Sequence, residues 1–262
     1  MPNFKQSLKL KSKYIHHNEI SSSDQQMILE GFNPDRINKG FYRDGNYREI
    51  KNFSFSHQVI KYFEKTFSER KKEEVVLLFI DITSFSTKFK NKSPNEVATF
   101  LDQYYDKVIP KIYYYNGEIE KIMGDGIICV FGKPFLDLGP ADLHRKAEEC
   151  AMKIITELKG TDFESKIAFH YGEIMYYQNK TQEYYEYTMI GNSITELFRL
   201  ESISHPNSIN FYSDTYFDFL KRSDVEQSRV RNISNAPWTL FLPEKIDLKG
   251  VNYTYFRKLQ KN

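Results

Sequence analysis

From residue 75 the chain runs through six consecutive apolar β-formers, Val75-Val76-Leu77-Leu78-Phe79-Ile80, and stops at Asp81. An unbroken apolar run predicts a strand covered on both faces, with the aspartate delivered to its rim. Ser93-Pro94-Asn95-Glu96 has capping-box spacing with proline at the first helical position, so it opens a long helix whose Val97, Phe100, Leu101, Tyr104 and Val108 share one face. Residues 118–123 and 127–131 flank Gly124-Asp125-Gly126 and read as two antiparallel strands joined by a tight turn. A second helix is predicted over 141–158, with Ala147, Ala151, Ile154 and Ile155 inward, followed by strands at 166–170 and 186–190 and a helix over 193–201. This order predicts an α+β fold, a ferredoxin-like βααββαβ-type sheet with helices on one face.

Upstream the pattern weakens. Val59, Ile60, Phe63 and Phe67 recur at helical spacing, giving an amphipathic helix over 55–73 that ends in the charged turn Lys71-Lys72-Glu73-Glu74. Residues 1–54 are polar and turn-rich, with Asn33-Pro34-Asp35, Gly40 and Gly45 breaking any long element and Ser23 placed to cap a short helix through Leu29. The expected organisation is therefore an N-terminal extension (1–54), a helix (55–73) and a catalytic domain (74–262).

Composition narrows the partners. Lys plus Arg number 37 against 35 Asp plus Glu, a balance that points to neither nucleic acid nor an anionic membrane. Two cysteines, Cys129 in an apolar run and Cys150 on a predicted helix, suit a reduced compartment rather than a disulfide framework. No apolar stretch approaches the roughly 18–20 residues of a membrane span, and Met1–Lys13 lacks the apolar segment of a secretory signal. The expectation is a cytoplasmic protein.

Asp81 ends one strand and Asp125 sits in a turn between two others, so a sheet pairing these strands centrally brings both carboxylates to one edge. Hard divalent cations take such oxygens. Taken singly, each aspartate reads as ordinary turn or cap chemistry. The fuller strings say more. Phe79-Ile80-Asp81-Ile82-Thr83-Ser84-Phe85-Ser86, Glu120-Lys121-Ile122-Met123-Gly124-Asp125-Gly126, His170-Tyr171-Gly172-Glu173, Tyr187-Thr188-Met189-Ile190-Gly191-Asn192, Arg199-Leu200-Glu201 and Asp247-Leu248-Lys249-Gly250 together resemble the class III nucleotidyl cyclases, in order and spacing, across residues 75–258.

The resemblance implies that an NTP is closed to a 3′,5′-cyclic nucleotide with loss of pyrophosphate. Asp81 and Asp125 match the aspartates that bind two divalent ions (Mn²⁺ or Mg²⁺), with the Ile82 carbonyl as a further ligand. Phe85 and Ser86 fall in the turn that wraps the triphosphate, Lys121 and Thr188 match the pair at the base edge, Arg199 faces the α-phosphate, and Lys249 the terminal phosphates. In this family each site is shared across a homodimer, one subunit giving Asp81 and Asp125 and the other the remaining residues.

The chain departs from the family where Thr195 replaces an asparagine that holds the ribose, where Ser84 replaces a common glycine, and where Met175, Tyr176 and Tyr177 bring bulk. Lys121 can only donate a hydrogen bond, whereas Thr188 can donate or accept, a pattern that fits adenine, cytosine or uracil and disfavours guanine. Bulk near the pocket would favour a smaller base. A stand-alone cyclase with a short N-terminal extension is similar to the bacterial anti-phage pyrimidine cyclases, whose cUMP or cCMP triggers a separate cyclic-nucleotide-binding effector. An adenylate cyclase and an inactive nucleotide-binding homologue are the alternatives.

Overall fold

The computed structural model describes residues 65–180, 185–213, 215 and 238–262. The predicted extension over 1–54 and most of the amphipathic helix, including Val59, Ile60 and Phe63, lie outside them. Residues 65–68 are helical, and Phe67 is buried against the sheet, edge-on to the rings of Tyr176 and Tyr187.

Strands β1 (Lys72–Ile82), β2 (Glu118–Met123), β3 (Gly126–Phe131) and β4 (Ser165–Lys180) stand in the order β2-β3-β1-β4, every pair antiparallel. This is the ferredoxin-like arrangement. Helix α1 (Phe85–Lys88) is a single turn; α2 (Pro94–Tyr114) and α3 (Pro140–Leu158) are the two long crossovers. The α2 start carries both halves of the capping box: Glu96 N–H donates to Ser93 Oγ, and Ser93 N–H donates to Glu96 Oε2. Beyond β4 come β5 (Tyr185–Ile190), α4 (Asn192–Ser202), β6 (Ser208–Tyr212), β7 (Trp238–Leu240), β8 (Glu244–Lys245) and β9 (Tyr255–Lys261), which widen the described sheet to nine strands. Strand β6 runs parallel to β4, and β9 pairs with β6 and with β7.

Both sheet faces are covered, which explains the continuous apolar run of β1. Val76, Leu78, Ile80 and Ile82 face α2 and α3, packed with Tyr104, Val108, Ala147 and Ile154; Val75, Leu77 and Phe79 face the other way, packed with Leu197 and Leu200 of α4. Helices thus occupy both sides, two long ones on one and the short α4 on the other.

Besides this α4 helix on the face expected to carry none, two expectations change. Lys71-Lys72-Glu73-Glu74 is not a turn: β1 starts at Lys72, because Lys72, Glu73 and Glu74 pair with Met175, Ile174 and Glu173, and ladder bonds override the polar character. The predicted strand at 166–170 extends to Lys180, since its far half pairs with β5, Tyr177 opposite Thr188.

Candidate active site

Two regions of the molecule gather the residues singled out in the sequence. At the first, β1 and β3 pair from Val76↔Phe131 to Ile80↔Ile127, so Asp81 and Asp125 emerge beside one another at the same sheet end. The two glycines around Asp125 have different work. Gly124 has φ +60, a left-handed conformation that glycine adopts freely, while a Cβ on Gly126 would stand 2.7 Å from Phe79 Cε2, closer than packing permits. Tyr105 of α2 donates its hydroxyl to the Gly124 carbonyl and ties this turn to the helix layer.

Alternation along β1 turns Asp81 to the α4 side, opposite α2 and α3. There it meets two charged residues that the sequence pattern does not single out for the site. Lys166, its register partner on β4, holds Nζ 3.6 Å from Asp81 Oδ2 and 2.7 Å from Glu201 Oε1 of α4. Burial, then the charge of Asp125, then that of Glu201 push the Asp81 carboxyl up to about 7, against the pull of Lys166. Asp125 is also raised, chiefly by burial. Burial lowers the Lys166 ammonium, but its bond to Glu201 and the charges of Glu201 and Asp81 outweigh this and raise it. Tyr104, fully buried and close enough to feel both aspartates, has its phenol pushed up, first by burial.

This excess of negative charge is what a divalent cation relieves. Among the described residues no group of three or more His, Cys, Asp or Glu side chains is arranged to hold a metal by itself. Two carboxylates plus the Ile82 carbonyl leave coordination positions for phosphate oxygens, the usual sharing for Mg²⁺, so the donor set fits such an ion. Next along the chain, Ser84 takes φ 59, which accounts for glycine being the easier residue there. It starts α1, whose first-turn amides at Phe85 and Ser86 lack carbonyl partners within the helix. Phe85 packs its ring 4.7 Å from that of Phe89, anchoring the turn, and Ser86 is exposed.

The second region forms where the β4–β5 hairpin meets β2, although β3 and β1 lie between β2 and β4 in the sheet. Thr188 Oγ1 donates to Glu120 Oε1 at 2.9 Å, and Met189 N–H donates to the same oxygen at 3.2 Å. The pairing of β2 with β3 slips here: Ile119 faces Cys129, Lys121 faces Ile128, and Glu120 is the extra residue of a β-bulge. Cys129 belongs to the core under α2 and α3, Ile128 to the core on the α4 side. Since cross-strand partners share a face, the bulge moves Lys121 to the face opposite Ile119, where unbroken alternation would have kept them together. Of the bulky residues near the hairpin, Tyr176 is wholly buried and donates its hydroxyl to the Lys133 carbonyl, so it lines no pocket; Tyr177 shares the face of Thr188.

The remaining residues stand outside both clusters. Thr195 and Arg199, four apart on α4, form an exposed stripe away from buried Leu197 and Leu200. Between them, Glu196 bonds buried His170 at 2.9 Å and fixes the helix on β4. Lys249 is exposed in a turn closed by Val251 N–H to Leu248 O, with Leu248 packed on the α4-side core.

Known proteins resemble this chain in sequence and fold. Residues 67–236 match the family described as "Adenylate and Guanylate cyclase catalytic domain". Adenylate cyclase 1 of Rhizobium meliloti is 24% identical over 143 residues, covering 51% of this chain and 21% of that protein; an uncharacterized protein of Mycobacterium tuberculosis, Rv1320c, is 24% identical over 144 residues, covering 54% and 25%. The chain thus spans about a fifth to a quarter of the length of these curated relatives. Among solved structures, the adenylyl cyclase CyaB from P. aeruginosa superposes with a TM-score of 0.60 at 18% identity, covering 73% of this chain and 96% of that one. The guanylyl cyclase Cya2 does so at 0.58 and 20%, covering 74% and 95%. At these identities the likeness carries the fold.

Proposed function

Since the chain belongs to the adenylate and guanylate cyclase catalytic domain family, we propose that it closes a nucleoside triphosphate into a 3′,5′-cyclic nucleotide and pyrophosphate. The observation that carries this reading is the Asp81–Asp125 pair, held at adjoining strand ends with more negative charge than Lys166 offsets. In this reading Asp81, Asp125 and the Ile82 carbonyl hold two divalent ions, Mn²⁺ or Mg²⁺. When bound, such ions make the ribose 3′ hydroxyl more acidic and neutralise charge on the phosphates.

Each other residue has a task of positioning or charge stabilisation, which is most of what phosphoryl transfer asks of a protein. Backbone amides at Phe85 and Ser86 donate to the triphosphate, Lys249 offsets charge on its terminal phosphates, and Arg199 does so at the α-phosphate. Thr195 hydrogen-bonds the ribose, one helical turn from Arg199. Lys121 and Thr188 read the base. In the family that this chain resembles, the residues matching Asp125 and Lys121 serve different sites, so the reading includes a two-fold homodimer with two shared sites.

For the base, the reading is a pyrimidine, giving cUMP or cCMP. Tyr177, opposite Thr188, adds bulk beside the base reader. The biological role that goes with it is second-messenger synthesis in bacterial anti-phage defence, in the cytoplasm, acting on a cyclic-nucleotide-binding effector. An adenylate cyclase is the second reading, favoured by a Lys121–Thr188 pair that suits adenine equally and by the relative named adenylate cyclase 1. Incubating the protein with each of the four NTPs and Mn²⁺ and identifying products by mass spectrometry tests all of this. A cyclic pyrimidine nucleotide is expected; cAMP alone removes the pyrimidine reading, and no cyclic product removes the enzyme.

A further inference from the structure

Thr188 is ambiguous in sequence because a hydroxyl both donates and accepts. Its surroundings remove the ambiguity. The hydroxyl has one proton, and that proton is directed at Glu120 Oε1, 2.9 Å away. The same oxygen accepts from Met189 N–H, so it acts as an acceptor toward both neighbours. Glu120 is 4% exposed and sits on a bulge, a device that re-aims side chains beside functional sites. What Thr188 has left for a ligand is lone pairs.

We infer that Glu120 is a specificity-setting positioning residue: by taking the hydroxyl proton it makes Thr188 an acceptor only, so that the bound base must present an N–H donor to Thr188 while Lys121 donates to an adjacent acceptor. The inference rests on the reading of Lys121 and Thr188 as base contacts. It excludes any pose in which a base carbonyl or unprotonated ring nitrogen faces Thr188. Two kinds of group supply such an N–H: the exocyclic amine of adenine or cytosine, beside an unprotonated ring nitrogen, and the ring N–H of uracil or, against the expectation from the sequence, of guanine, beside a carbonyl.

The test is equilibrium binding of the four 3′-deoxynucleoside triphosphates, which lack the hydroxyl needed for closure, together with two analogues whose amine is deleted, purine for adenine and 2-pyrimidinone for cytosine. For the best-bound natural base, Thr188→Val and Glu120→Leu should each weaken affinity about tenfold, the worth of one good polar contact to a base. Glu120→Gln should not, because its amide oxygen can still accept from Met189 N–H and Thr188. If adenine or cytosine binds best, deleting its amine should cost wild type the same factor and cost Thr188→Val less than about twofold. That non-additivity identifies the amine and would not arise from a structural defect. If uracil or guanine binds best and weakens in Thr188→Val, the ring N–H is the donor. The inference is overturned if no triphosphate binds, if Thr188→Val and Glu120→Leu leave affinities unchanged, or if Glu120→Gln behaves like Glu120→Leu. Should binding follow the expectation while the ordinary NTPs give no product, the cyclase reading falls and the inference stands.

Discussion

The Asp81–Asp125 region and the Glu120–Thr188 region share the β2–β3 hairpin, which gives Asp125 to the first and Glu120 to the second, yet they are built in opposite ways. The first is formed by two central strands paired without irregularity, with a two-residue turn fixed by Gly124. The second depends on a bulge in β2 and on a hairpin that reaches a strand beyond its own neighbours in the sheet. Regular pairing holds reacting groups rigidly, as charge stabilisation requires. An irregular strand meeting a hairpin can change its side chains without disturbing that geometry. The expected division is chemistry in the first region and substrate choice in the second.

The largest effect should come from breaking the first region. Asp81→Ala or Asp125→Ala removes a ligand worth several kcal/mol of transition-state stabilisation, and turnover should fall about a thousand-fold or more. The proposed dimer, read by light scattering, should persist. Mixing Asp125→Ala with Arg199→Ala chains should restore one working site per mixed dimer. Failure to do so, with mixed dimers formed, would break the shared-site model and the division with it.

A smaller effect separates charge from geometry. Lys166→Met takes away the cation beside Asp81 and Glu201. The metal concentration giving half-maximal activity should then fall by about fivefold, the ratio that corresponds to about 1 kcal/mol, while the preference among bases is unmoved. An increased metal requirement would mean that Lys166 supports the site rather than standing in for the ion.

Much of the first region is legible in the amino-acid sequence. The apolar run of β1, the Ser93 capping box and the glycine-bracketed turn are local signals, and local signals are what a sequence carries most directly. Lys166 and Glu201 give no such sign, because their place depends on register: Lys166 lies opposite Asp81 only once β4 is aligned, and Glu201 is visible only as part of the Arg199-Leu200-Glu201 block. The second region is legible in its residues but not in its arrangement. Lys121 and Thr188 stand out, whereas the bulge has no period to detect, and Glu120 looks like an alternating strand carboxylate beside Glu118. Two acidic residues in a strand next to the lysine proposed to read the base are the available sign. Strands β6 to β9 escape because they are short or paired with distant partners.

Two finer measurements sharpen the contrast. Tyr105→Phe deletes the hydroxyl that holds the Gly124 carbonyl. It should lower stability by about 1 kcal/mol and loosen metal binding, while leaving base discrimination intact; a change in base preference instead would mean that the two regions are coupled through the turn. Ser93→Ala, remote from both, should lower the Tm by about 2–4 °C without altering turnover. The backbone bond from Ser93, followed by Lys92 and the Ser93 hydroxyl, holds the Glu96 carboxyl down at about 2, from an ordinary 4.5. A depressed acid stabilises the fold above its unfolded value and loses that contribution as pH falls toward 2. Ser93→Ala keeps that backbone bond and loses only the hydroxyl's bond to the carboxylate, so acid titration should narrow its stability gap to wild type at low pH without closing it, because the cap bond from Glu96 N–H does not titrate.

The bulge at Glu120 also constrains how this protein can diverge. Side-chain parity reverses at residue 120, so straightening the bulge with every residue kept would swap Lys121 and Ile122 between the two faces, burying an amine under α2 and presenting a bare hydrocarbon at the proposed base-reading position. Point substitutions at 120, 121 and 188 carry no such penalty. On the proposed reading, descendants of this chain can change the letter they recognise by altering side chains one at a time, so long as the pairing of Lys121 with Ile128 is kept.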